Sequence, residues 1–233
     1  MKDGDNMETA NPSDLAVRIR HSTPGRTMAI VLRHAERTEI VDIRQSSQAQ
    51  LTDGGRKASM ELGKMLPSGH LYRLFHSHSD RCKETAELIC QGLQEAGVSA
   101  AAPSLKYFLG CPFMLNLERI QESINNVGMN TFLASWFKGE VDTGILAPSK
   151  GAFQDLLKAI VVLSGKESPG VVDICVTHDW NLVLLLSRLC IDQEIPWPRY
   201  LESVIIELGA GEIILSYQGK ECRFAIDEQG GLI

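Results

Sequence analysis

Two segments of the chain place guanidinium and imidazole side chains directly after apolar runs. In "IVLRHAER", Arg33, His34 and Arg37 follow an apolar stretch, and in "VVDICVTHD" another such stretch ends in His178 and Asp179. Guanidinium groups bind the oxygens of a phosphate through paired hydrogen bonds. Imidazole can act as a nucleophile, an acid, a base or a metal ligand. The combination indicates chemistry on a phosphoryl group.

A third segment adds an arginine where a strand is followed by a helix. Residues 71–77 form an apolar run that predicts a strand, and Ser79 is a suitable N-cap for a helix over 79–97. Arg81 then lies in the first turn of that helix. Ligands of open α/β sheets bind outside the carboxyl ends of the strands. We therefore expect the three segments to meet in one crevice.

The order of the apolar segments favours an α/β fold. Strand-like runs alternate with segments of helical periodicity, which is typical of a mostly parallel sheet with helices on both faces, a three-layer αβα sandwich. The predicted strands are 28–33, 71–77, 171–177, 203–208 and 212–218, and the predicted helices are 51–66, 79–97, 151–165 and 180–190.

The positions of polar stretches, prolines and glycines predict the domain organisation. Residues 1–26 are polar and contain prolines and a glycine, which predicts a poorly ordered N-terminal arm. Residues 27–233 are predicted to form a single domain. Within it, the segment at about 98–150 is broken by prolines and glycines into short apolar pieces, and we expect it to form an insertion or lid.

Composition excludes several classes of function. The chain has 233 residues, is 44% hydrophobic and carries a net charge of −6 without a long basic run, so no nucleic-acid partner is expected. No apolar run is long enough to cross a membrane, and the N-terminus has no apolar signal segment. The six cysteines are scattered and form no CxxC pair, which favours free thiols in the cytoplasm.

Four segments together resemble the histidine phosphatase superfamily, the clan of phosphoglycerate mutase and histidine acid phosphatase. "RHAER" is similar to its RHG signature, and "LTDGGRKASMELG" to its LTxxGxxQAxxLG helix. "HSHSDRCKETAELI" resembles its SPLxRAxQTAxxI segment, and "VTHDWNL" resembles the segment of its second histidine. The resemblance implies a phosphoglycerate mutase-like fold and a phosphomonoester hydrolase that needs no metal or other cofactor. Its substrate would be a small-molecule or peptide phosphomonoester.

The resemblance also implies a role for each matching residue. His34 would be the nucleophile that forms a phosphohistidine, and Asp179 the proton donor. His178 would take part in catalysis and bind phosphoryl oxygens. The phosphate-binding arginines would be Arg33, Arg37 and Arg81. The RHxxR spacing and the His-Asp pair look more like the acid phosphatase branch than the mutase branch, in which an acid from the insertion, here Glu118, would donate the proton.

Two positions depart from the family pattern. Ala35 stands where the family has glycine, and its methyl group would be strained if the backbone there had a positive φ. His78 stands where the family has proline, which could alter the direction of Arg81. Neither change removes a charged group that the chemistry needs.

Three alternatives remain open from the sequence. His76, His78, His34, His178 and Asp179 could form a metal cluster of a metal-dependent phosphohydrolase. A phosphotransferase or mutase would use the same phosphohistidine with a second acceptor, and a binding protein would bind phosphate without turnover.

Substrate specificity is expected from the insertion and from the loop 38–50, where Arg44 could reach a second anionic group. Residues 106–117 are expected to pack mainly as lid core.

Overall fold

The computed structural model describes residues 9–21, 25–165, 170–189, 195–209 and 211–226. Within these ranges the strands are β1 (Thr27–Arg33), β2 (Leu71–His76), β3 (Ser104–Leu105), β4 (Val171–Thr177), β5 (Ser203–Gly209), β6 (Glu212–Tyr217) and β7 (Lys220–Ala225). The helices are α1 (Pro12–Arg20), α2 (Asp53–Met65), α3 (Asp80–Glu95), α4 (Leu117–Val127), α5 (Met129–Lys138), α6 (Ser149–Ser164) and α7 (Asp179–Leu186). Two 3₁₀ turns cover Ile43–Gln48 and Tyr107–Gly110.

The seven strands form one mixed sheet in the order β3-β2-β4-β1-β5-β6-β7. Strands β3, β2, β4 and β1 are parallel, whereas β5, β6 and β7 continue the sheet in antiparallel pairs. This arrangement confirms the α/β class with a mostly parallel core. Strand β7 was not predicted, because it is an edge strand with partly exposed side chains and lacks an apolar run.

Both faces of the central strands are buried. Along β1, Met28 and Ile30 pack toward α1, α2 and α3, while Ala29 and Val31 pack toward α5, α6 and α7. All four residues are at most 4% exposed. Side chains alternate across a strand, so a strand covered by helices on both faces is apolar throughout. The helices therefore form two layers around the sheet, as the three-layer prediction requires.

The start of α2 lies directly against the loop that follows β1. A Cβ atom on Gly55 would lie 2.2 Å from the backbone oxygen of Glu36, so a larger residue does not fit there. Thr52 caps the helix and donates a hydrogen bond from Oγ1 to Glu36 Oε2 over 2.5 Å. The "LTDGG" segment thus positions the loop that carries the candidate catalytic residues.

The N-terminal arm is the main correction to the predicted organisation. The prediction of a poorly ordered arm over 1–26 is wrong for Pro12–Arg20, which forms helix α1. Leu15 and Ile19 are 5% and 1% exposed and pack against the sheet, and Arg18 donates a hydrogen bond to the backbone oxygen of Ser216 over 2.7 Å. The prediction missed this helix because its apolar residues, such as Leu15 and Ile19, lie among polar neighbours in the sequence. Residues 1–8 and 22–24 lie outside the described residues.

The predicted insertion contains β3, the second 3₁₀ turn, α4 and α5. Its backbone is tied to the end of β4, because the oxygen of Leu109 accepts hydrogen bonds from Thr177 Oγ1 and Asn181 Nδ2. Trp136 of α5 packs against Trp180 of α7, with ring centroids 6.0 Å apart. These contacts hold the insertion beside the carboxyl ends of β1 and β4.

Candidate active site

The carboxyl ends of β1, β2 and β4 open into one cleft of about 990 Å³. His34 follows β1, His178 and Asp179 follow β4, and Arg81 lies in the first turn of α3, after β2. These four residues and Arg37 all line the cleft. The structure therefore brings the residues of the separate sequence segments into a shared space large enough for a phosphate ester.

His34 lies at the buried end of this cleft, with 2% of its surface exposed. Its Nδ1 is 2.8 Å from the backbone oxygen of Ala35. Because a carbonyl oxygen only accepts hydrogen bonds, Nδ1 carries the proton and Nε2 keeps its lone pair. Arg81 Nε donates to Nε2 over 3.1 Å. The imidazole is thus held in the tautomer that a nucleophile requires.

Arg81 is the centre of a hydrogen-bond network and is 7% exposed. Besides His34, it donates to His178 Nδ1 over 3.1 Å and to the backbone oxygen of Ser46 over 2.6 Å. His178 Nε2 is 3.0 Å from Ser77 Oγ, and the acceptor role of Nδ1 makes Nε2 the donor. A single guanidinium therefore touches both histidines.

Both histidines are neutral at pH 7. Burial, followed by the positive charge of Arg81, lowers the pKa of His34 well below its ordinary value. The same two causes lower the pKa of His178 to about 3. His34 is thus available as a nucleophile without deprotonation, and His178 acts as a hydrogen-bonding group without a charge of its own.

These shifted pKa values predict a loss of stability in mild acid. The unfolded chain binds protons at both histidines below about pH 6.5, and the folded protein does not until much lower pH. The free energy of unfolding should therefore fall as the pH drops from 6.5 toward 4, by up to about 1.4 kcal/mol per pH unit for each histidine. Urea unfolding of the wild type and His178→Asn should show a smaller slope in the variant. Equal slopes for the wild type and the variant would contradict the assignment.

Arg33 lies beneath the cleft and does not line it in this structure. Its fully buried side chain pairs through Nη2 with Asp179 Oδ2 over 2.9 Å, and Nη1 donates to the backbone oxygen of Pro198. The guanidinium carbon is 4.2 Å from the centre of the Tyr200 ring. In this geometry Arg33 positions Asp179, and a direct contact with phosphate remains a prediction.

Arg37 is the second guanidinium on the cleft wall. It is half-buried, and its Nη1 donates to the backbone oxygen of Thr38 over 2.8 Å. Together with Arg81 it places two cationic groups around the space in front of His34. Such a space can hold an anion.

The two departures from the family pattern do not disturb this geometry. Ala35 is fully buried and is not among the described residues with positive φ, so the expected strain does not arise. Its backbone N donates to Thr85 Oγ1 over 3.2 Å, which joins the loop to α3. His78 lines the cleft, and the loop that contains it still delivers Arg81 to both histidines.

Glu118 and Arg44 do not take the positions expected of them. The side chain of Glu118 is 68% exposed and lies 3.8 Å from Arg44 Nη1, outside the cleft lining. Arg44 Nε lies 2.9 Å from each carboxylate oxygen of Asp42. The geometry therefore favours Asp179 over Glu118 as the acid, and it turns Arg44 away from the cleft.

The metal-cluster alternative gains no support from the positions of its residues. His76 is buried with Nδ1 2.7 Å from the backbone oxygen of Ser77, whereas His78 faces the cleft. Within the described ranges, no three His, Cys, Asp or Glu side chains form a group that could hold a metal ion.

Several residues at the site were missed in the sequence. Pro198 and Tyr200 support Arg33 from a segment whose only signal is the run "IPWPRY". The loop after β1 and the insertion add apolar side chains to the cleft, at Ile40, Ile43, Met114, Leu117, Ile124 and Met129. In the 106–117 segment, Leu109 and Phe113 are buried as lid core, as expected, whereas Tyr107 is 74% exposed.

Three solved structures illustrate the fold that this chain shares. Bacillus stearothermophilus YhfR is 18% identical, with 82% of this chain and 96% of that chain covered and a TM-score of 0.55. Phosphoglycerate mutase from Bacillus anthracis str. Sterne is 15% identical, with 84% and 94% covered and a TM-score of 0.55. A phosphoserine phosphatase mutant from Entamoeba histolytica, in complex with phosphoserine, is 15% identical, with 82% and 95% covered and a TM-score of 0.51. At these identities the likeness establishes the fold alone.

The sequence comparison finds one family model that matches part of the chain. Residues 29–101 match the model of the histidine phosphatase superfamily (branch 1), a segment that contains His34, Arg37 and Arg81. The match covers less than a third of the chain, so it shows that this segment is similar to the superfamily. No curated protein sequence matches the chain.

The branch of the matching model differs from the one that the RHxxR spacing favoured. The model is that of branch 1, so the match gives the acid phosphatase preference no support. A short spacing motif is a weak guide to branch, because Arg37 and Asp179 are single positions.

None of the helices in the described ranges is long and apolar enough to span a membrane.

Proposed function

We propose that the protein hydrolyses phosphomonoesters through a phosphohistidine formed on His34. One observation carries the proposal: a neutral imidazole offers Nε2 at the buried end of the cleft, 3.1 Å from the Nε of Arg81. A phosphoryl group that displaces this hydrogen bond would meet a nucleophile and a cation together. Phosphoryl transfer depends mainly on such positioning and electrostatic stabilisation.

The reaction divides into two displacements. In the first, His34 Nε2 bonds to phosphorus, the ester P–O bond breaks, and the protonated form of Asp179 gives its proton to the departing oxygen. In the second, Asp179 takes a proton from water, the water oxygen bonds to phosphorus, and the P–N bond breaks to restore His34. Arg81 and Arg37 stabilise the negative charge on the phosphoryl oxygens in both steps, and Arg33 keeps Asp179 in place.

The proposed steps use only side chains and water, so we propose a metal-independent enzyme. The guanidinium groups of Arg37 and Arg81 would also repel a cation at the position of the phosphate. The five described cysteines are free, which supports the proposal of a reducing compartment such as the cytoplasm. A mutase would share the first displacement and pass the phosphoryl group to a second alcohol instead of water.

Turnover of an aryl phosphate by the purified protein tests this function. We expect steady release of inorganic phosphate at the same rate with and without EDTA, because the steps need no metal. Adding an alcohol acceptor should divert at most a minor share of the phosphoryl groups. Activity that disappears with EDTA and returns with a divalent cation would contradict the mechanism, and near-complete transfer to the alcohol would indicate the mutase reaction.

A further inference from the structure

One wall of the cleft beyond the phosphate position carries a group of apolar side chains. The loop after β1 and the insertion contribute Ile40, Ile43, Met114, Leu117, Ile124 and Met129. At the mouth, Val41 and Leu117 are 77% and 37% exposed, so apolar surface faces the solvent where a substrate enters. Exposed apolar surface in a groove is typical of ligand contact.

The side-chain amide of Gln121, which lies on this wall, already has hydrogen-bond partners within the protein. Gln121 Oε1 accepts a hydrogen bond from the backbone N of Ile43 over 2.9 Å, and Gln121 Nε2 donates to Asn125 Oδ1 over 2.9 Å. A substrate rich in hydroxyl groups would therefore lose its bonds to water against this wall without full replacement. Burying polar groups without partners is unfavourable.

The charges of the cleft disfavour a second anionic group on the substrate. Besides Asp179, which is paired with Arg33, three carboxylates line it, at Glu36, Glu39 and Asp80, against the two guanidinium groups of Arg37 and Arg81. His34 and His178 add no positive charge while they are neutral. A single phosphate next to Arg81 uses the available cations, and a further negative charge would face carboxylates.

We infer that the substrate, if the proposed hydrolysis holds, is a phosphate monoester of an apolar alcohol or phenol with no second negative charge. The phosphate lies against His34 and Arg81, and the apolar body lies along Ile43, Ile124 and Met129. This class differs from phosphorylated sugars and from phosphorylated acids, which present hydroxyl groups or a carboxylate to the same wall.

A series of alkyl phosphates isolates the effect of the apolar body. Methyl and hexyl phosphate are both esters of primary alcohols, so the leaving groups are chemically alike and only the buried apolar surface differs. Full burial of each methylene would favour the longer ester by about fourfold. Because the cleft is partly open, we expect kcat/KM for hexyl phosphate to exceed that for methyl phosphate by at least about tenfold in total. Equal values for the two esters would overturn the inference.

A second pair of substrates isolates charge. Glycerol 3-phosphate and 3-phosphoglycerate have similar size, and the latter carries an additional carboxylate. We expect 3-phosphoglycerate to have the lower kcat/KM, by at least about tenfold, because its carboxylate faces Glu36 and Glu39. A preference for 3-phosphoglycerate would contradict the inference.

Two neighbouring leucines provide a matched pair of variants. Leu117→Gln should reduce the ratio of hexyl to methyl turnover by about two- to threefold, because it replaces apolar cleft surface. Leu115 is 56% exposed and lies outside the cleft lining, so Leu115→Gln should leave the ratio unchanged. Equal effects of both variants would show that the wall does not contact the substrate.

Binding measurements separate the substrate class from the reaction. Calorimetry with hexylphosphonate and methylphosphonate, which cannot be hydrolysed at the P–C bond, should give a Kd at least about tenfold lower for the hexyl compound. This result without turnover of any ester would support the ligand class and contradict the proposed hydrolysis. Turnover with equal phosphonate affinities would support hydrolysis and contradict the ligand class.

Discussion

Replacing His34 with alanine should lower phosphomonoester hydrolysis by a factor on the order of 10⁴ to 10⁶, the range seen when a covalent nucleophile is removed. The variant keeps Arg81 and Arg37, so substrate binding should be less affected than kcat. The physical reason is that the variant lacks the nitrogen that bonds to phosphorus in the proposed first step. Steady-state kinetics with an aryl phosphate measures the effect, and a thermal unfolding curve verifies that the variant is folded.

His76 provides a closely matched control for His34. It also lies at the end of a parallel strand, is 8% exposed, and has Nδ1 hydrogen-bonded to the backbone oxygen of the next residue. It does not line the cleft. His76→Ala should therefore keep kcat within a few-fold of the wild type, at a similar cost in stability. Comparable losses of turnover in both variants would indicate damage to the fold and not removal of a nucleophile.

The second large effect is expected for Asp179→Asn. General acid catalysis contributes roughly 10² to 10⁴ in rate, and its loss should depend on how much the leaving group needs a proton. We expect a reduction of that size with hexyl phosphate and a much smaller reduction with 4-nitrophenyl phosphate, whose phenolate departs without protonation. The ratio of the two effects is the diagnostic quantity, because a general disturbance of the cleft would reduce both reactions equally.

A control is needed because Asp179→Asn also breaks an ion pair with the buried Arg33. Removing one partner of a buried pair costs on the order of 3–5 kcal/mol of stability. Asp173, on the preceding strand β4, pairs with Arg73 over 2.7 Å and is fully buried away from the cleft lining. Asp173→Asn should lose stability without the dependence on leaving group. If Asp179→Asn lowered both esters by the same factor, Asp179 would be a structural partner of Arg33 and not the proton donor.

Much of the candidate site could be predicted because it depends on local sequence and one topological rule. His34, Arg81 and His178 each follow a strand by one to five residues, and parallel strands bring their carboxyl ends to one edge. Short-range patterns and sheet geometry were therefore enough to place these three side chains together.

The role of Arg33 shows what local sequence leaves out. Side chains alternate along a strand, so the last residue of β1 and the histidine after it need not face the same space. The partner of Arg33 depends on Pro198 and Tyr200, about 165 residues away in sequence. Such a contact arises from tertiary packing, and no spacing rule within the RHAER segment contains it.

The apolar wall and helix α1 were missed for a related reason. Residues such as Ile43 and Ile124 meet only after the insertion has packed against the loop that follows β1. In α1, Leu15 and Ile19 become core residues because the sheet offers them a buried face, although the surrounding composition is polar. Amphipathic helices of this length gain most of their stability from packing, which composition alone does not reveal.

The covalent state of His34 during turnover tests the central claim most directly. The protein would be mixed with substrate, quenched in alkali to preserve phosphohistidine, digested, and analysed by mass spectrometry. We expect one phosphoryl group on the peptide that contains His34, formed and lost at rates compatible with kcat. A phosphoryl group attached to a different residue, or none attached to the protein during steady turnover, would contradict it.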